Sequence, residues 1–234
     1  MNKLKLLKTR LNTLADPERA RLLQGFFKTG PGEYAEGDVF LGLKVPVQRQ
    51  IIKDFRDLSF AEIENLLSSP IHEYRLSALL ILVSQFERGD EIAKEKIFKF
   101  YLTHAARVNN WDLVDVTCHK IVGAFLLERN DFKILFKLAQ SKSLWERRIA
   151  IVSTAMFIRE RILAPTLQIA EILLHDKHDL IHKATGWMLR EVGKKNEMAL
   201  LDFLEKNVKL MPRVMLRYAI ERLSVSKQQL YLRR

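Results

Sequence analysis

A single cysteine, nine glycines and six prolines are small numbers for 234 residues, and each scarcity excludes something. With no second thiol, Cys118 can neither close an intramolecular disulfide nor join a zinc-finger ligand set, so a reducing cytoplasm is the expected setting. The shortage of glycine and proline argues against disorder and against a turn-dense all-β fold. No run of about 18 apolar residues occurs, so no membrane span is expected. The first ten residues, MNKLKLLKTR, lack the apolar core and small-residue cleavage site of an export signal. Acidic residues are also in short supply: 28 Asp and Glu face 39 Lys and Arg, for a formal charge of +11 and a pI near 9.8. Between Lys206 and Arg234, Glu221 is the only acid among eight cations. Such a balance favours a phosphate-bearing partner, with a merely solvated basic surface as the alternative.

What the chain does have is helical spacing. Apolar residues recur at i, i+3 and i+4 in nearly every segment after Ser59, with no convincing strict alternation, so the chain reads as all-α. Ser59 caps FAEIENLLSS, Pro70 breaks it, and IHEYRLSALLILVSQFERG follows as a longer helix stopped by Gly89. The same short-then-long unit returns through NNWDLVDVTCHKIVGAFLLER, SLWERRIAIVSTAMFIRER, HDLIHKATGWMLREVGKK and PRVMLRYAIERLS. Within the second helices, Arg75, Asp115, Arg148, Lys183 and Arg217 hold similar places, the last four separated by 33, 35 and 34 residues. Two helices per period of this length point to an α-α superhelix, a solenoid of HEAT-like repeats whose second helices would line a concave basic surface. The expected organisation is one domain over 1–234, with N-terminal helices and a Gly-rich loop in 1–58 and helical-pair repeats in 59–234. That loop, TGPGEYAEGDVFLGLKVPVQRQ, holds four glycines and two prolines and enters a helix near Pro46, but lacks the Gly-Lys-Ser/Thr ending of a phosphate-cradling loop.

Three tryptophans and six histidines are the candidates for chemistry. On a helix Trp111 and Asp115 share a face, and Asp115 is the one carboxylate in a register otherwise held by cations. Arg148 nearby would keep it ionised. Trp111 reads equally as a core staple behind an Asn110 or Asp112 cap. Trp187 stands four residues after Lys183 and so on its face. Indoles beside an anion suit a cationic guest, through the ring quadrupole and a direct Coulomb attraction. Trp145, at a helix start, is expected in packing. None of the histidines forms an HExxH pattern, and His178 with His182 lacks a carboxylate at ligand spacing, so no metal and no other cofactor is expected. Cys118 is expected as a small core hydrophobe.

Four segments, GEYAEGDVFLGLKVP, NNWDLVD, LWERRIAIVST and IHKATGWMLREVGK, together resemble the DNA alkylation repair enzymes of the AlkD type, HEAT-like DNA glycosylases, over almost the whole chain. The resemblance implies a monofunctional hydrolase that excises cationic N-alkylated purines, such as 7-methylguanine and 3-methyladenine, from double-stranded DNA. It places the family's catalytic Trp-x-x-x-Asp on Trp111 and Asp115, its second tryptophan on Trp187, its phosphate-holding arginine on Arg148 and a loop tyrosine on Tyr34. Lys183, equivalent to Arg148 by repeat, and Arg190 on the Trp187 helix are the further expected DNA contacts. No obligate protein partner is implied, and a monomer is expected. The alternative is a non-catalytic HEAT-repeat protein that binds bent or branched DNA through its backbone.

Overall fold

The structure, a computed structural model, describes residues 2–233, whose regular elements are helices joined by loops. Among the described residues the exception is an isolated parallel bridge of Val39 with Ile71, closed by Val39 N–H to the Pro70 carbonyl at 3.0 Å and His72 N–H to the Val39 carbonyl at 2.8 Å. The chain divides into two compact units between Leu113 and Val114.

The first unit contains α1 (Lys3–Thr13), α2 (Pro17–Phe26), α3 (Val45–Ile51), α4 (Phe60–Leu67), α5 (His72–Arg88) and α6 (Glu91–Thr103). Of these, α1, α2, α4 and α6 start where a side chain satisfies a free N–H group of the first turn. Asp16 accepts from Arg19 N–H with Pro17 at the first position of α2, and Ser59 with Glu62 completes a reciprocal capping box on α4. The Pro46 entry appears at the start of α3. α5 is buried almost all round, from His72 through Val83 and again at Phe86, and packs on α4. The Gly-rich loop is held onto α5 by an anion of the protein's own: the Glu73 carboxylate, 1% exposed, accepts from the N–H groups of Leu41, Gly42 and Leu43 at 2.8, 2.8 and 3.2 Å. Gly42 is required there, since its φ is 86° and a Cβ would lie 2.3 Å from the Asp16 carbonyl.

α7 (Trp111–Cys118) carries the chain across the division. The second unit then holds α8 (Ala124–Arg129), α9 (Lys133–Ala139), α10 (Leu144–Ser153), α11 (Ala155–Arg159), α12 (Ala164–Ile172), α13 (Asp179–Lys195), α14 (Glu197–Asn207), α15 (Arg213–Ile220) and α16 (Val225–Leu232). The expected pairs are present as α9 with α10 and α12 with α13, whereas α14 packs chiefly on α13 instead of on α15, and the second helices α10, α13 and α15 pack in a row. The core under α13, α14 and α15 includes Leu189, Leu200, Phe203, Leu204, Met215 and Leu216, each 0–4% exposed.

Two segments expected as single helices are interrupted. After α7 the residues His119–Gly123 form a wide π turn before α8, and Gly123 lies so close to α10 that a Cβ would meet the Ser153 carbonyl at 2.4 Å. Between α10 and α11, the Thr154 hydroxyl donates back to the Ile151 carbonyl at 2.6 Å and the helix tightens there. No described helix is long and apolar enough to cross a membrane.

Candidate functional site

The first turn of α7 is fastened from below by buried polar groups. Asn110, fully buried, accepts from Trp111 N–H at 2.8 Å through its side-chain oxygen, and Asp112 accepts from Leu113 N–H at 2.8 Å. A carboxylate suits this place, where unpaired N–H groups point outward. The other Asp112 oxygen lies 2.8 Å from His72 Nε2, while Asp38 from the Gly-rich loop approaches His72 Nδ1 at 3.4 Å and Arg75 Nη2 at 2.6 Å. Burial of His72 works against its charged form, yet the Asp112 and Asp38 carboxylates outweigh it and raise its pKa to about 9. His72 is therefore an imidazolium at neutral pH. Burial likewise works to raise the Asp38 pKa, but His72 and Arg75 hold it below the usual carboxylate value.

Aromatic rings connect this charged cluster to Trp111. Phe40 stacks on His72 with centroids 4.6 Å apart, and Phe27 lies 5.2 Å from His72 and stacks on Trp111 at 5.1 Å and 20°. Phe26 meets Trp111 edge-on at 6.0 Å, and the indole N–H donates to the Tyr34 hydroxyl at 3.2 Å. Trp111 is half-buried, so the staple and the surface group are the same residue. Tyr34 reaches it because Glu73 fixes the path of the loop.

Asp115 follows four residues later in α7. Arg148 on α10 grips it through both oxygens, Nε to Oδ1 at 2.9 Å and Nη2 to Oδ2 at 2.8 Å, and donates its Nη1 to the Leu180 carbonyl in the first turn of α13. This two-point geometry is the strongest form of guanidinium–carboxylate pairing. Arg75 repeats the arrangement in the first unit, with Asp38 and the Ser69 carbonyl as its partners. Arg148 is only 4% exposed, and all three of its nitrogens are engaged. Lys183 on α13 pairs with Asp179 at 2.6 Å, and Arg190 pairs with Glu221 and, at 3.4 Å, with Glu191. Trp187, half-buried, lines an open cavity on the second unit. Trp145 is buried, as is Cys118, whose thiol is pushed far up by burial in an apolar setting.

The sequence singled out Trp111, Asp115, Arg148 and Tyr34; the structure joins Asp115 to Arg148 and Trp111 to Tyr34. His72, Asp38, Phe27 and Phe40 were not singled out, because their partners lie tens of residues away. One signal was available: Arg75 shares a register with Arg148, so a carboxylate for it could have been sought.

A family model for the DNA alkylation repair enzyme matches residues 7–223. The chain belongs to this family. The fold agrees: a solved structure described as a predicted DNA alkylation repair enzyme from Enterococcus faecalis superposes with a TM-score of 0.72 at 19% identity, covering 90% of this chain and 97% of that one. The crystal structure of AlkD2 from Streptococcus mutans gives 0.56 at 15% identity, covering 89% and 99%. At these identities the likeness is one of fold. The search of curated proteins returned no match. Family membership makes DNA the partner and repair of alkylation damage the setting.

Proposed function

We propose that the protein is a monofunctional DNA glycosylase that hydrolyses the N-glycosidic bond of positively charged N-alkylated purines, 7-methylguanine and 3-methyladenine among them, in duplex DNA. The observation that carries this reading is the Asp115 carboxylate, held through both oxygens by Arg148 and borne on the same helix as the half-buried Trp111. Alkylation at a ring nitrogen makes the base a cation, so when the bond to C1′ breaks the electron pair neutralises it and no strong acid is required. The sugar is left with oxocarbenium character. A fixed carboxylate stabilises that charge and orients the water that attacks C1′, whose proton passes to Asp115 or to solvent. Trp111, held by Phe27 and Tyr34, presents a ring face to developing positive charge, and Trp187 supplies a second indole on the family resemblance.

In this reading Arg148 is a positioning residue for Asp115, and the phosphate contact that the resemblance assigns to it falls to whatever donors its bonds to Asp115 and Leu180 leave over. Lys183 and Arg190 would reach phosphates by exchanging Asp179 and Glu221 for them. An uncharged lesion should react poorly, since nothing here protonates the leaving base. The test is release of free base from duplex DNA containing 7-methylguanine. The parent protein should release it, Asp115→Asn should be slower by roughly 10²- to 10³-fold, and Trp187→Ala should also be slower. No release by the parent leaves the alternative, DNA binding without catalysis. Full activity in Asp115→Asn removes this mechanism.

A further inference from the structure

On the second unit, α11, α13 and the π turn enclose an open cavity of about 540 Å³. Its floor is apolar, made by the buried Val152, Ile158 and Met188, and Trp187 and His119 stand in its walls. Its rim is basic. Arg159, Arg161, Lys194 and Lys195 are exposed there, opposed by one carboxylate, Glu191, which is taken up by Lys194 at 2.7 Å and by Arg190. Arg161 donates to the Lys195 carbonyl at 3.0 Å, whereas Arg159 touches only the Met156 sulfur, at 3.7 Å, and makes no ion pair among the described residues. Burial, with the positive charges of Lys120 and Arg159, lowers the pKa of His119 to about 4. The imidazole is therefore neutral at pH 7; its one N–H is taken by the Asp115 carbonyl, and the other ring nitrogen is left as an acceptor.

A ligand matched to these walls is flat and aromatic on one side and anionic on the other, with polar edges that a neutral imidazole can read. We propose that the cavity is a binding site for a single nucleotide, the base lying against Trp187 and the apolar floor and the phosphate lying at Arg159. Either component alone would satisfy half of the site: inorganic phosphate leaves the floor wet, and a nucleoside leaves the rim charge unanswered. Aromatic stacking tolerates any base, so selectivity among bases rests on His119. The nucleotide comes either from solution or from a DNA strand in which it is unpaired, and the chemistry of the site is the same for both. This site requires no bond to break; it shares Trp187 with the base-excision reading and adds His119, Arg159 and the apolar floor.

The experiment measures binding of deoxyadenosine monophosphate to the full-length protein by titration calorimetry, with inorganic phosphate and deoxyadenosine in parallel. The nucleotide should bind at least about tenfold more tightly than either fragment. Arg159→Glu, a change at an exposed position, should weaken it by about tenfold or more, and Ala155→Trp, which fills the cavity, should abolish it. No binding of the nucleotide overturns the proposal, as does equal binding of inorganic phosphate or unchanged binding by Arg159→Glu. Competition then separates the sources. A duplex with one unpaired adenosine that displaces the nucleotide better than a fully paired duplex places the ligand within DNA; equal displacement assigns the site to a free nucleotide. Release of 7-methylguanine is read independently, so a protein that binds the nucleotide yet releases no base keeps this site and loses the glycosylase.

Discussion

Arg148 and Asp115 place two opposite charges mostly out of water, at 5% and 16% side-chain exposure. Removing one partner of such a pair leaves the other buried without compensation. Arg148→Met is therefore expected to destabilise the protein by about 3 kcal/mol, the lower end for buried pairs because Asp115 keeps some solvent. The double change Arg148→Met with Asp115→Leu should recover most of that loss, since apolar side chains of similar size need no partner. Urea midpoints of the three proteins decide it. His72 makes a prediction of a different kind. Its folded pKa of about 9 lies above the ordinary value of 6.5, so the charged form stabilises the fold. The groups facing it are Asp38 in the loop, Asp112 on α7 and Arg75 on its own helix. Its contribution is fully present below pH 6.5 and is lost as pH rises through about 9. Relative to His72→Gln, the wild-type urea midpoint should fall across that window; parallel curves would show that the imidazolium contributes nothing.

At the scale of elements, the capped helix starts follow from local chemistry and the helix contacts do not. Ser59 with Glu62, Asp90, Ser143 and Asn196 cap their helices with groups a few residues away, so their roles are legible in the sequence. The π turn after α7 is not, because its reason is the backbone of α10 pressed against Gly123. The same holds for α13 and α15. A Cβ on Gly186 would stand 2.4 Å from the Met215 carbonyl and 2.6 Å from the Tyr218 Cβ, and both are too close to give way without moving a helix. Gly186→Ala should cost about 1–3 kcal/mol by overpacking, although alanine is the better helix former. A melting temperature unchanged or raised in this variant would contradict so close a contact.

For the molecule as a whole, a net charge of +11 together with a DNA repair family predicts binding that salt weakens steeply. Each phosphate neutralised releases condensed counterions, so a footprint of about six phosphates loses roughly 10³-fold in affinity between about 50 and 200 mM salt. Lys183→Ala should lower the slope of log affinity against log salt by about 1 if that lysine exchanges Asp179 for a phosphate. An unchanged slope would leave Lys183 an intramolecular partner of Asp179 alone.

The sequence by itself determined that the chain is all-α, that its helices come in pairs with a recurring charged register, and that Trp111, Asp115 and Arg148 deserve to be read together. These follow from periodicities of three to four residues within a helix and of some thirty-four between repeats, which need no knowledge of distant contacts. The tertiary structure decided which charges are spent on the protein itself. Arg148 turns inward to Asp115, Arg190 to Glu221, and the Gly-rich loop closes around Glu73 instead of an external anion. It also decided that Trp111 rests on Phe27 and, through it, on a charged His72. Burial makes these choices: a group removed from water must find its partner wherever the packing brings one, and that partner can stand anywhere along the chain.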